Sequence, residues 1–235
     1  NWSRPMSELG LVVLQVDRSL VDYVNLVAPA LGATLAMVGI VFPITALIGL
    51  PLAVVLINTG RNGLFPHQSF HQTLSVIINV GRSIPFLILM AAVIPLSRLI
   101  VGTSLGVAGA IVPLTLASIP SFTRLVESSL REVPRDVIEA GFASGGTRWQ
   151  LIRKVQLPEA LPGLVSNTTI GLINILDGTA IAGAVGAGGL GYLALSYGYN
   201  RFDGLMMLIC VVILVVLAQG IQLSGDALAH RLRKD

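Results

Sequence analysis

Several residue groups in this chain have types and spacings that could do chemistry. Gly186-Ala187-Gly188-Gly189-Leu190-Gly191 satisfies G-x-G-x-x-G, a pattern that lets backbone approach a pyrophosphate when it joins a strand to a helix. Here the run ends a long apolar stretch instead, so it reads as a close-packed or flexible turn whose glycines permit positive φ. His67 and His71 are spaced i, i+4 and could share a metal on a helix, but no third ligand lies near them in sequence. They read as free surface histidines. Asp177 lies between two long apolar runs, with Asn174 one turn before it. An acidic group inside a membrane span either lines a polar path or pairs within the protein. The preferred reading is an Asp177 facing the bundle interior and bonded to Asn174, Thr179 or backbone. The alternative has it lining a pathway and meeting a substrate ammonium group. No Ser/His/Asp or Cys/His set is present, and the single Cys210 sits in Leu208-Ile209-Cys210-Val211-Val212 as an apolar packing residue. Lys154 and Lys234 are the only lysines, and neither follows G-x-x-x-x-G. The chain therefore has no nucleotide site of the P-loop kind. No catalytic residue, cofactor or metal is expected.

The elements that must hold these residues are set by composition. The 235 residues are 54% hydrophobic and 11% charged, with mean hydropathy +0.82. Soluble domains carry about 25% charged residues. Uncharged runs of 38, 25, 23 and 22 residues lie between Asp22 and Arg61, Arg98 and Arg124, Asp177 and Arg201, and Asp203 and Asp226. About 20 apolar residues span a bilayer as a helix. Continuous rather than alternating runs indicate an all-α integral membrane protein and not a β-barrel. Five spans are expected, at about 28–57, 76–96, 107–122, 164–184 and 205–223, kinked at their prolines. Residues 28–235 form the transmembrane domain. Residues 1–27 form an extracytoplasmic or interfacial segment, in which 9–27 reads as an interfacial helix leading into the first span, with a tilted extension of that span as the alternative. The apolar stretch 9–16 is short, runs into Asp17-Arg18 and lacks a small-residue cleavage site, so it does not read as a cleavable signal.

Lys and Arg choose the orientation. With the C-terminus inside, the inner side holds Arg61, Arg82, Arg124, Arg131, Arg135, Arg148, Arg153, Lys154, Arg231, Arg233 and Lys234, against Arg4, Arg18, Arg98 and Arg201 outside. The N-terminus is thus expected outside and a loop of about 123–162 in the cytoplasm. The basic pI of 9.4 reflects this topology, and no nucleic-acid partner is expected. Arg82, near a span end, reads as snorkelling to the interface. Within the loop, Pro134 suits the first turn of a helix, and Asp136 and Glu139 favour its N-terminus. Val137, Ile138, Gly141 and Phe142 form a short apolar stripe. Gly145 suits the left-handed residue that ends that helix. Thr147 can cap a second helix through Arg148-Trp149-Gln150-Leu151-Ile152-Arg153-Lys154. Pro158 is expected to stop it and Pro162 to open the next span.

Glu139-Ala140-Gly141-Phe142-Ala143-Ser144-Gly145, followed after nine residues by Val155-Gln156-Leu157-Pro158, resembles the EAA signature of the permease subunits of bacterial ABC importers. Gly141 replaces the usual second Ala, and Gly weakens an exposed helix by about 1 kcal/mol relative to Ala. Arg82-Ser83-Ile84-Pro85-Phe86, Ile100-Val101-Gly102-Thr103-Ser104, Ala110-Ile111-Val112-Pro113-Leu114-Thr115, the stretch 153–165 and the glycine run 183–191 are similar to methionine importer permeases. The resemblance covers about residue 30 to the end. It implies a type I importer permease with five transmembrane helices and a cytoplasmic coupling-helix loop in the bacterial inner membrane. It also implies partners: two copies of an ABC ATPase, a periplasmic or lipid-anchored substrate-binding protein, and a second copy of the chain. Val137, Ile138, Glu139, Ala140, Gly141, Phe142, Gly145, Leu157 and Pro158 would couple to the ATPase. Asp177, Gly186, Gly188 and Gly189 are candidates for a pathway or gate. The implied substrate is methionine, D- or L-. The alternatives are another amino acid or small organic ion, or a stand-alone secondary transporter. The last would leave the 139–158 loop without a purpose and would need more driving-ion groups than Asp177.

Overall fold

A computed structural model describes residues 20–233, and the elements named below lie within them. Arg4, Asp17, Arg18 and Lys234, together with the interfacial segment up to residue 19, lie outside the described residues. The chain enters as α1, Leu20–Thr59, an uninterrupted helix of 40 residues that carries Pro29, Pro43 and Pro51 within it. At 1.5 Å per residue it is about 60 Å long. From Leu20 onward, then, the chain is already in the first span's own helix. The helix is apolar all round, so hydrophobicity does not separate its faces. Small residues (Ala30, Thr34, Thr45, Gly49, Ala53) and large ones (Met37, Val41, Leu56) both point inward, while Leu35, Ile40, Leu47, Ile48 and Val55 are exposed. The small inward residues let neighbouring backbones approach.

The second span, expected over 76–96 with a kink at its proline, is bent much more sharply than a kink. α2, Gln68–Ser83, and α3, Phe86–Ala92, meet at a bend of 97°. Pro85 removes a backbone donor and forces its predecessor out of the helical region, and Ile84 is extended at φ −79°, ψ 120°. α4, Ile94–Val101, follows and is closed by left-handed Gly102. Among the described residues, four further helices are long and apolar enough to cross a membrane, and the bent pair makes five if it counts as one broken span.

α5, Gly106–Arg131, is central and continues helical well past Phe122, where the loop was expected to begin. The Phe122 ring is clasped between two glycines. A Cβ on Gly49 of α1 would come within 2.7 Å of the ring, and one on Gly171 would do the same from the far side. After the short α6 (Arg135–Ala143) and α7 (Arg148–Leu151), α8 runs Leu157–Ala182. A turn at 183–187 leads to α9, Gly189–Leu193, and α10, Gly204–Leu232, closes the chain. One apolar core joins Met37, Val41, Leu114, Ile175 and Leu176 at mid-length. A second joins Ala53, Phe122, Val126, Leu130 and Leu164 towards α6. A third gathers Tyr23, Leu190, Leu193, Met206 and Cys210 at the other end.

Pro158 does not stop the helix that begins at Arg148. Residues 152–156 adopt a π turn, in which the Leu157 N–H reaches back to the Ile152 carbonyl. That wider register absorbs the donor a proline lacks, and Pro158 then sits at the start of α8 with Pro162 inside it. Arg148 to Ala182 is therefore one continuous helical rod, and the chain breaks from it only at Val185 and Gly186.

Candidate functional site

The α6–α7 element is assembled from local rules. Pro134 is the N-cap of α6 and not part of its first turn. The helix ends in paired backbone bonds, Gly145 N–H to Phe142 O at 2.9 Å and Gly146 N–H to Gly141 O at 3.1 Å. Gly145 is left-handed at φ +80°, the arrangement in which glycine satisfies orphan carbonyls at a helix end. Thr147 then caps α7 through a capping box. Its hydroxyl accepts from the Gln150 N–H, and the Gln150 side chain accepts from the Thr147 N–H at 2.9 Å.

Packing sorts the candidate coupling residues into two groups. Ile138 and Leu157 turn inward, where they meet Leu64, Leu151 and Ile152. Gly141 lies against Leu151, so close that a Cβ would come within 2.3 Å of Leu151 Cδ2. The glycine in place of alanine thus lets α7 seat on α6. Val137 is half-buried, whereas Glu139, Ala140, Gly145 and Pro158 are exposed. Phe142 is 44% exposed and Trp149 on α7 is 61% exposed. Exposed aromatics on a polar element mark an interaction surface. Trp149 was not singled out from sequence, because an aromatic in a short amphipathic helix ordinarily points to the core.

The support beneath this element is polar. The Asn58 amide of α1 donates to Gln156 Oε1 at 2.9 Å, both buried. Glu127, 2% exposed, pairs with Arg124 at 2.6 Å and with Arg131. Arg124 also donates to Ser75 Oγ at 2.6 Å and Asn79 Oδ1 at 2.9 Å on α2. A buried carboxylate needs such pairing. Three of these residues lie at i, i+3 and i+7 in what was read as loop, so sequence gave no reason to connect them to α2. Between the network and α6 lies an open cleft of about 810 Å³ lined by Arg61, Glu127, Arg135, Glu139, Phe142 and Arg148.

At the opposite end, Gly186, Gly188 and Gly189 have φ of 97°, 81° and 77°. The turn is wedged into its neighbours. The Leu190 N–H donates to Thr34 Oγ1 at 3.0 Å, and a Cβ on Gly191 would come within 2.2 Å of the Ala180 carbonyl oxygen. Asp177 is not turned into the bundle of its own chain. It is exposed, as is Asn174, and Thr179 donates to the Leu176 carbonyl instead. His67 Nδ1 accepts from the Phe70 N–H as the cap of α2, and His71 Nδ1 bonds the Leu56 carbonyl. The two histidines are thus engaged separately.

Comparison with known proteins places this geometry. Residues 46–234 match the family model described as binding-protein-dependent transport system inner membrane component. The probable D-methionine transport system permease protein MetI of Vibrio cholerae is 46% identical over 208 residues, 88% of this chain and 92% of that protein. The corresponding protein of Pasteurella multocida is 42% identical over 78% of this chain and 85% of its own length. A chain from inward facing conformations of the MetNI methionine ABC transporter superposes with TM-score 0.89 at 42% identity, covering 92% of this chain and 100% of that one. A chain of an amino acid ABC transporter, at 21% identity and TM-score 0.73 over 90% of this chain and 96% of its own, shares the fold.

Proposed function

The chain belongs to the binding-protein-dependent transport system inner membrane component family, and from that premise we infer that it is the permease subunit of an ATP-driven methionine importer. The observation that carries the substrate is the identity to D-methionine permeases, sustained over 92% of the Vibrio cholerae protein. Two copies would form the pathway, because one chain of five spans is a thin wall for a pore. Two ABC ATPase subunits would supply the energy this chain lacks a site to capture, and a substrate-binding protein would deliver methionine outside. The excess of Lys and Arg supports an N-terminus outside and a C-terminus in the cytoplasm. That orientation turns α6 and α7 towards the ATPase.

In this reading Phe142 and Trp149 seat in the ATPase, with Glu139, Ala140 and Gly145 at the rim. Val137, Ile138, Gly141, Leu157 and Pro158 tie that seat to α8. ATP binding would draw the two ATPases together, and the permease would exchange inward- and outward-open states by differential affinity. Gly186, Gly188 and Gly189 would form part of the outer gate. Purification in mild detergent tests the assembly, and a soluble ATP-hydrolysing subunit in equal ratio is the expected result. Uptake of radiolabelled methionine, competed by unlabelled D- and L-methionine and by other amino acids, tests the substrate. Uptake that another solute competes better than methionine would overturn the substrate reading.

A further inference from the structure

Asp177 lies deep in the membrane-spanning part of the molecule. α1 is pinned at one end where the Tyr23 hydroxyl donates to Asp203 and at the other where Asn58 donates to Gln156. Met37 and Val41 lie about midway between those pins, and Ile175 and Leu176 pack against them. Gly178 approaches Leu114 in the same layer. Asp177, between these residues in sequence, is therefore near mid-depth, yet its side chain is exposed. No hydrogen bond or ion pair ties it to another described residue.

A carboxylate at that depth does not face hydrocarbon; it faces a protein interior or a water-filled cavity. The interior of its own chain is excluded by its exposure. The face it occupies is amphiphilic. Ile170, Asn174, Asp177 and Ile181 follow at spacings of four, three and four, so they line one stripe of α8, and all four are exposed. Side chains three and four apart on a helix are neighbours.

We propose that Asp177 and Asn174 form a cation-preferring, water-accessible subsite on the transport pathway that takes the ammonium group of a zwitterionic amino acid in transit. Asp177 accepts charge-assisted hydrogen bonds from the ammonium. The Asn174 amide, one turn away, donates to the substrate carboxylate, and Ile170 and Ile181 flank an apolar side chain. The assignment of amino acids as cargo rests on the importer reading above; the accessibility and charge preference of the stripe do not.

The test separates the two. In a chain carrying Cys210→Ala, single cysteines at positions 174, 177 and 181 are introduced, and the assembled transporter in proteoliposomes is treated with cationic and anionic methanethiosulfonate reagents. Rates are normalised to the same reagents acting on a free thiol. The expected result is reaction at all three positions, with Asn174→Cys favouring the cationic reagent by about 5-fold and losing that preference when Asp177→Asn is added. Absence of reaction at 174 and 177, while the exposed position 200 reacts as Asn200→Cys, would mean the stripe is sealed against lipid or a second copy and would overturn the proposal. A preference unchanged by Asp177→Asn would overturn it equally. In parallel, Asp177→Asn is expected to lower methionine uptake about 10-fold, and Asp177→Glu to retain more of it. Uptake unaltered by Asp177→Asn removes the residue from transport. A stripe that reacts as expected in the cysteine variants, beside a wild-type transporter that does not import methionine, would sink the substrate reading while leaving the subsite in place.

Discussion

Two turns in this molecule are built from glycine, and they need it for different reasons. Gly145 closes α6 in open space, with nothing within 4 Å of where a Cβ would stand. Only its left-handed backbone calls for glycine. At the other end, Gly183 and Gly191 are helical or nearly so, but a Cβ on either would overlap backbone within 2.5 Å. There the requirement is volume. The first turn is specified by conformation and leaves its surroundings free for a partner. The second adds packing to conformation: Gly186, Gly188 and Gly189 are left-handed, while Gly183 and Gly191 leave no room for a side chain. A signature read as one kind of residue thus encodes an adaptable surface in one place and a wedged joint in the other.

The sharpest way to break this comparison is at the packed turn. Gly191→Ala drives a methyl onto the Ala180 carbonyl, and neither backbone can yield cheaply. The expected cost is about 3 kcal/mol or more, seen as loss of monodisperse protein on size exclusion in detergent. Next is the buried network that supports the open turn. Glu127→Ala strands Arg124 and is expected to cost about 3 kcal/mol in thermal unfolding, with Arg124→Ala plus Glu127→Ala less than additive. Gly145→Leu follows. Its backbone strain is about 1–2 kcal/mol, so yield is expected near wild type. The reshaped end of α6, however, should let ATP hydrolysis continue while methionine uptake is lost. Uptake equal to wild type would remove this turn from coupling. Glu139→Lys, on the exposed rim, is expected to act in the same direction more weakly. The smallest effect is expected at Gly141→Ala, where the methyl meets the movable end of Leu151, and a gain in helix propensity of up to about 1 kcal/mol opposes the crowding. A melting temperature within a few degrees of wild type is the expected reading. If Gly141→Ala were as damaging as Gly191→Ala, the distinction between yielding and unyielding neighbours would fail.

Local rules were legible in the sequence wherever water meets the chain. The left-handed Gly145 and the Thr147 cap follow from capping chemistry that acts over a few residues. Inside the membrane the same letters say less. α1 and α10 are apolar on every side, so periodicity cannot tell a packed face from a lipid face. Met37, Val41 and Leu56 turn inward while Leu35, Ile40 and Leu47 face out, although both sets are large and apolar. The expectation that Pro158 ends a helix failed because a π register offers another way past a missing donor. The sharp bend at Pro85 was hidden because most prolines in these spans, including Pro43 and Pro113, are absorbed without one. Asp177 was read as paired inside its own chain because intramembrane charges usually are, and sequence gave no sign of which way that helix face points.

The unbroken passage from α7 into α8 has a mechanical side. Thr147 to the clasp at Gly171 is 24 residues, and Gly171 to Asp177 is 6, or about 36 Å and 9 Å at helical rise. A rigid rod tilting about that clasp trades distance for force. Its short arm moves about a quarter as far as its long one, so a swing of about 4 Å at the base becomes about 1 Å beside the carboxylate. A transporter geared in this way would ask for a large stroke at its motor and give a small, strong adjustment where a cargo the size of an amino acid has to be gripped or released.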